Sequence, residues 1–479
     1  MNAKTDAVLA TLEADQEAAQ ARLMDWLRIP SVSAQPAHAA DCRAAGEWVL
    51  AQLTALGFTG SLRETAGHPV VVAHHPGPPS DRQSAEGRGA VNRPAKDAGP
   101  HLLFYGHYDV QPPDPLELWT SPPFQPTIVE GPNGPQVRAR GAVDDKGQVM
   151  MWIEALRAWH AVTGSIPVRC TVLIEGEEEI GSPSLDPFLA ANAAELKADV
   201  AVISDTGMWD VNTPALSTRL RGLVYTQIDL TCASRDLHSG MYGGLALNPL
   251  NLLTRVLGQL HDENGVIQIP DFYEDVIDPS PAQKAEWAGL GFSPEKFLGE
   301  IGLTQGIGEA NRAPLERLWS RPTADLNGLW GGYTGDGSKT VIASQAHAKL
   351  SFRLVPGQDP AKVVAGLHAF LAARLPEDAK VAVQVFGASP AIEVPADSPW
   401  IGQARAALAE EYGRPAVLIG CGGSIPVVES MRRLLGLDAL LMGFGLTDDQ
   451  VHSPNEKFDL VCFRHGARSH ARLLGRLSA

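Results

Sequence analysis

Short runs of consecutive apolar residues recur along the chain, each closed by glycine or by charge. Leu102-Leu103-Phe104-Tyr105, Val172-Leu173-Ile174 and Val200-Ala201-Val202-Ile203 are three of them. Unbroken rather than alternating hydrophobicity marks strands covered on both faces. Between the first two runs, Val149, Ile153, Leu156 and Trp159 repeat at helical spacing. Strands alternating with helices predict an α/β domain with a largely parallel sheet. Upstream, Ala7 to Arg28 predicts one helix ended by Pro30, Ala44 to Leu56 a second helix, and Val70 to Ala73 a strand.

After Asp205 the pattern changes. Val224, Thr226, Ile228 and Leu230 alternate with Leu223, Tyr225, Gln227 and Asp229, and Leu350, Phe352 and Leu354 alternate with Lys349, Ser351 and Arg353. Strands of this kind have one buried face. With helices over Asn248 to His261 and from Val363 to Leu371, and a strand from Val381 to Val385, they predict a smaller α+β domain with a one-sided antiparallel sheet. Beyond Pro390 the α/β style returns, with strands Val417 to Ile419 and Leu440 to Met442. The division expected is a discontinuous domain, 1–214 and 391–479, interrupted by an inserted domain, 215–390. Gly77 to Pro100, rich in Gly, Pro, Ser, Arg and Asp without periodicity, reads as a long exposed loop or a partly disordered insertion.

A length of 479 residues suits two domains better than one core. No apolar run reaches the roughly 18 residues of a membrane span. Met1 to Gln20 carries Asp6, Glu13, Asp15 and Glu17 and has no apolar core of a signal peptide. The net charge of -16 argues against nucleic acid or an anionic membrane as partner. The 5 cysteines form no CxxC pair. A reduced, cytoplasmic setting is therefore expected, with any metal resting on His and carboxylates.

Those residue types collect at strand ends. His107-Tyr108-Asp109 follows the first run, Glu175-Gly176-Glu177-Glu178-Glu179 the second, and Ser204-Asp205 the third. Asp144-Asp145 precedes a helix, and His452 follows Leu440-Leu441-Met442 after a loop. Open α/β sheets place ligands at the carboxyl ends of their strands. Two cations sharing a bridging carboxylate activate water for hydrolysis, and Asp144 is the candidate bridge. Of the neighbours Glu178 and Glu179, one can face a metal while the other moves the proton; the competing reading of the run is a solvated acidic loop. His238 could stabilise an oxyanion or be a turn residue. Arg353 could grip a carboxylate or sit on a solvated face. The Gly422-Gly423-Ser424 turn could cradle a carboxylate with its backbone N–H groups.

Taken together, Leu27-Arg28-Ile29-Pro30-Ser31-Val32-Ser33, Gly106-His107-Tyr108-Asp109-Val110-Gln111-Pro112, Gly141-Ala142-Val143-Asp144-Asp145-Lys146-Gly147, Glu178-Glu179-Ile180-Gly181-Ser182, Ile203-Ser204-Asp205, Asp236-Leu237-His238-Ser239-Gly240, Ser351-Phe352-Arg353-Leu354-Val355-Pro356, Gly422-Gly423-Ser424-Ile425-Pro426 and His452-Ser453-Pro454-Asn455-Glu456 resemble the M20 metallopeptidase family. The likeness is nearest to its cytosolic nonspecific dipeptidase and carnosinase branch. It implies a di-zinc aminopeptidase-like catalytic domain with a mainly parallel mixed sheet, and an inserted α+β ferredoxin-like lid that forms a homodimer. By position, His107, Asp144 and Asp205 would hold one metal and Asp144, Glu179 and His452 the other. Zinc is the expected ion, with manganese or cobalt as alternatives. Glu178 would be general acid/base, Asp109 would orient His107, and the bond between Asp144 and Asp145 would be cis. His238 would act in the neighbouring subunit's site. Arg353, Gly423 and Ser424 would hold the substrate's free carboxylate.

One departure bears on substrate. Relatives in the dipeptidase branch usually have Glu before Gly-Gly-Ser, pairing with the substrate's amino terminus, and here that residue is Cys421. The expected function is metal-dependent hydrolysis of dipeptides or small peptide-like amides. The alternatives are an N-acyl amino-acid deacylase and, from another class, a metal-binding dimerisation protein without catalysis.

Overall fold

The computed structural model describes residues 3–78, 99–299, 301–423 and 425–478. Most of the expected 77–100 insertion, and Ser424, lie outside the described residues. The chain divides into two compact units, residues 1–217, 394–419 and 426–479 in the first and 218–393 with 420–425 in the second.

In the first unit the sheet runs Thr59–Arg63, Val70–His75, Arg169–Glu175, His101–His107, Val200–Ile203, Ala439–Leu441 and then residues 215–217, the start of the strand Ala215–Leu220. The middle strands, from Arg169–Glu175 to Ala439–Leu441, pair in parallel, and the flanking ones pair antiparallel. Leu102 to Tyr105, Val172 to Ile174 and Val200 to Ile203 are buried at every position, which requires cover on both faces. Part of that cover is the helix Lys146–Thr163, whose Trp152 stacks on Phe104 with ring centroids 4.6 Å apart. Its Trp159 donates to the Ala471 carbonyl on the helix Leu460–Leu477 at 3.0 Å. Parallel strands end on one edge of a sheet, so the loops after His107, Glu175, Ile203 and Leu441 emerge side by side.

The helix expected over Ala7 to Arg28 is two, Ala3–Ala14 and Gln16–Leu27, parted at Asp15. The first buries Val8 and Leu9 and the second Ala19, Leu23, Trp26 and Leu27. The hairpin Thr127–Gly131 and Gly134–Arg138, which the hydrophobic pattern did not suggest, pairs with Lys457–Asp459 in a small antiparallel sheet.

The second unit holds a four-stranded antiparallel sheet ordered Thr323–Gly331, Gln345–Leu354, Gly222–Thr231, Lys380–Ser389. Val224, Ile228, Leu350 and Phe352 on one face pack with Leu253 and Val256 of the helix Pro249–Leu257 and with Leu367 and Phe370 of the helix Pro360–Ala372. The order β-α-β-β-α-β on such a sheet is ferredoxin-like. The first of these helices begins where the Asn248 side chain accepts from the N–H groups of Leu250 and Asn251, with Pro249 at its first position. Gly258 follows its last residue, so it stops short of His261. Among the described residues no helix is long and apolar enough to cross a membrane.

Candidate active site

His107 closes its strand with its side chain fully buried. Its Nδ1 lies 3.1 Å from the Asp109 backbone carbonyl, which can only accept, and 3.4 Å from Asp109 Oδ1. Nδ1 therefore carries a proton, which leaves Nε2 as the atom that a metal could take. Nε2 lies 3.1 Å from Asp144 Oδ1 and 3.9 Å from Asp205 Oδ2, yet makes no aligned hydrogen bond. On the far side of Asp144, Oδ2 lies 2.9 Å from His452 Nε2, which is 3.2 Å from Glu179 Oε2. Two sets result, His107–Asp144–Asp205 and Asp144–Glu179–His452, each with its ligand atoms within 4.8 Å of one another. Asp144 belongs to both, and offers a different oxygen to each. Glu178 belongs to neither.

Close approach makes these positions possible. A Cβ at Gly147, in the first turn of the helix behind Asp144, would stand 1.9 Å from the Ala142 carbonyl oxygen. One at Gly106 would stand 2.8 Å from Asp145 Oδ2, the atom that accepts the His107 N–H at 3.2 Å. The Asp144–Asp145 bond is cis. His452 is held in a loop where Gln450, His452 and Asn455 all have positive φ. Each such residue costs on the order of 1–3 kcal/mol and persists only where its surroundings fix it. Asn455 Oδ1 supplies one anchor, accepting from the Thr120 N–H at 2.8 Å.

The crowding of carboxylates shows in their acidities. Burial, reinforced by the Asp144 charge, raises Asp205 to about 7. Burial also raises Glu178 to about 8, against the attraction of His107 and helped by the charges of Asp205, Glu179 and Asp144. Burial would raise Asp144 too, but His107 and His452 hold it well below the usual carboxylate range. Asp144 and Glu179 in turn raise His452 to about 10. Buried like charges kept this close, with a buried imidazole nitrogen aimed between them, fit a pair of divalent cations. The donors are oxygen and imidazole, without thiolate, as zinc, manganese and cobalt all accept.

Around the two sets lie residues that hold them. Asp109 Oδ1 and Oδ2 accept from the N–H groups of Glu178 and Glu179 at 3.3 and 3.1 Å. One carboxylate thus orients His107 and fixes the loop carrying both glutamates. Gln111, which had no role from its motif alone, donates from Nε2 to Glu179 Oε2 at 2.8 Å and to the Glu179 carbonyl at 3.2 Å. Its place two residues after Asp109 was the available signal.

His238, Arg353 and Gly423 lie in the second unit. His238 is exposed, and its Nδ1 accepts the Gly240 N–H at 3.0 Å, which places its own proton on Nε2. Arg353 is half-buried on the strand Gln345–Leu354, on the face opposite Phe352. The Gly423 carbonyl accepts from the N–H of Arg221 at 3.1 Å. The Arg221 guanidinium, also unassigned from sequence, donates to the Arg317 and Arg321 carbonyls. Burial, then the neighbouring charge of Arg353, lowers it to about 10.

Residues 103–476 match the model of Peptidase family M20/M25/M40. A Cys-Gly metallodipeptidase of Schizosaccharomyces pombe is 30% identical over 98% of this chain and 97% of its own. The Beta-Ala-His dipeptidase of Homo sapiens is 29% identical over 77% of this chain and 73% of its own. The solved structure of the di-peptidase Dug1p from Saccharomyces cerevisiae superposes with a TM-score of 0.77 at 27% identity, covering 99% of this chain and 98% of that one. The chain therefore belongs to the M20/M25/M40 family of metallopeptidases, on its dipeptidase and carnosinase-like branch.

Proposed function

We propose that the protein is a two-metal dipeptidase that hydrolyses the amide bond of small peptides carrying a free carboxylate. The observation that carries this reading is Asp144, whose two oxygens each face a separate His-carboxylate set. His107, Asp144 and Asp205 would hold one divalent ion and Asp144, Glu179 and His452 the other, zinc being the first candidate. Such a pair, when bound, acidifies water and polarises a carbonyl. Glu178, outside both sets, takes the proton of the attacking water and returns it to the leaving nitrogen. Its raised proton affinity falls toward neutrality once positive charge enters the site. Asp109 keeps the Nε2 lone pair of His107 aimed inward.

The second unit supplies the remaining groups. It would act as lid and as the surface of a homodimer. His238 of the partner subunit would then present its Nε2–H to the oxyanion. Arg353, with the backbone at Gly423 and Ser424, would bind the substrate carboxylate. The names of the relatives support a dipeptide substrate. Cys421 favours a second reading, an N-acyl amino-acid deacylase, because a neutral thiol cannot pair with a substrate ammonium.

Hydrolysis of Cys-Gly, of β-Ala-His and of their N-acetyl forms, by metal-stripped and zinc-, manganese- or cobalt-reloaded protein, separates these readings. Metal-dependent cleavage of the free dipeptides is expected. Cleavage of the acetylated forms alone would establish the deacylase, and metal-independent cleavage would overturn both.

A further inference from the structure

Glu456 is fully buried, and every acceptor position of its carboxylate is used. Oε1 accepts the N–H groups of Val143 and Asp144 at 3.0 and 3.1 Å. Oε2 accepts Arg140 Nη1 at 2.7 Å and the Gly141 N–H at 2.9 Å. The Glu456 backbone carbonyl also accepts the Ala139 N–H at 3.1 Å. A carboxylate that fills its lone pairs with donors from one short segment fixes that segment's path, and here the segment ends at the shared carboxylate Asp144. Arg140 extends the connection, because its Nη2 donates to the Pro112 carbonyl at 3.2 Å, just beyond Gln111. Glu456 itself ends the loop of positive-φ residues that carries His452. One side chain thereby ties the loop bearing His452 to the turn bearing Asp144, and through Arg140 to the segment bearing His107, Asp109 and Gln111.

We propose that Glu456, braced by Arg140, is a positioning residue that sets the distance between Asp144 and His452 and so the spacing of the two metal positions. The inference rests on the two-metal reading above. It concerns geometry around the ligands and not the chemistry of the reaction.

The test compares Glu456→Gln with Glu411→Gln. Glu411 is another carboxylate with a buried side chain, paired with Arg468, Arg472 and His465 at 2.6 to 2.9 Å, none of which belongs to either set. Zinc affinity is measured by competition with a chromophoric chelator, and the visible spectrum of the cobalt-loaded protein is recorded. Glu456→Gln is expected to weaken at least one metal position about 10–100-fold, to alter the cobalt spectrum, and to lower kcat with KM near wild type. Glu411→Gln is expected to lower the melting temperature while leaving metal affinity and spectrum unchanged. If Glu456→Gln does not fold, Arg140→Lys, which keeps the charge and loses the forked geometry, is expected to show the same changes in smaller measure. Wild-type metal affinity and cobalt spectrum in Glu456→Gln, or in Arg140→Lys where that is the variant measured, would overturn the positioning role. Failure of the wild-type protein to bind two divalent ions would instead overturn the two-metal reading.

Discussion

Glu178 and Glu179 are adjacent in the chain and are assigned opposite work, so replacing each by its amide separates the roles. Glu179 Oε2 sits 3.2 Å from His452 Nε2 and 2.8 Å from Gln111 Nε2. The Gln111 bond leaves the carboxylate little choice of direction. In Glu179→Gln a neutral amide replaces the carboxylate of a proposed ligand. The loss in metal affinity at that position should exceed the roughly 10–100-fold that follows from changes one contact further out. Glu178 belongs to neither set, so Glu178→Gln keeps both positions and removes only the proton carrier. Positioned proton transfer contributes roughly 10²–10⁴ in rate, or about 2.7–5.4 kcal/mol in the barrier. Metal content by atomic emission after dialysis, read beside kcat for Cys-Gly, distinguishes the two variants. Glu178→Gln should hold two metals and turn over at least about a hundredfold more slowly, and Glu179→Gln should lose metal. A Glu178→Gln protein with two metals and near-normal kcat would refute the assignment, as would metal loss in that variant.

Three further outcomes follow from the site. Asp205 has its folded-state value raised to about 7, so it favours the fold fully below its unfolded value and loses that contribution as pH rises through 7; Asp205→Asn should therefore raise the melting temperature of the stripped protein relative to wild type near pH 8 and not near about pH 4, while metal affinity of the wild type rises about tenfold per pH unit for each proton displaced. A stripped Asp205→Asn protein no more stable than wild type near pH 8 would contradict the first part. Gln111→Leu removes the donor from Glu179 and should weaken the Asp144–Glu179–His452 position about 10–100-fold in a cobalt titration, with the other position unchanged. Cys421→Glu restores a charge for a substrate ammonium; an ion pair at a half-exposed position is worth up to about 1 kcal/mol, so the ratio of kcat/KM for free over N-acetylated dipeptide should rise roughly fivefold.

The residues of the two candidate metal sets stood out in the sequence for a physical reason. Strands buried on both faces must be continuous apolar runs, so the polar residues that end them stand out, and His107, Glu179 and Asp205 did. Asp144 and His452 were legible through their flanking motifs. The hydrogen bonds that support them were not, because the partners are distant in sequence. Glu456 bonds residues 312 to 316 positions away, and Asp109 reaches the Glu178 and Glu179 amides across 69 and 70. No local pattern encodes such pairings. The strand Thr323–Gly331 was also hidden, since Asp325, Leu326 and Asn327 are all exposed and no alternation marks it.

Anomalous diffraction at the zinc edge, from zinc-loaded crystals, tests the shared role of Asp144 most directly. Two peaks about 3.5–4 Å apart are expected, one bounded by His107, Asp144 and Asp205 and the other by Asp144, Glu179 and His452. A single peak, or a pair not bridged by Asp144, would contradict the two-metal site on which the proposed hydrolysis depends.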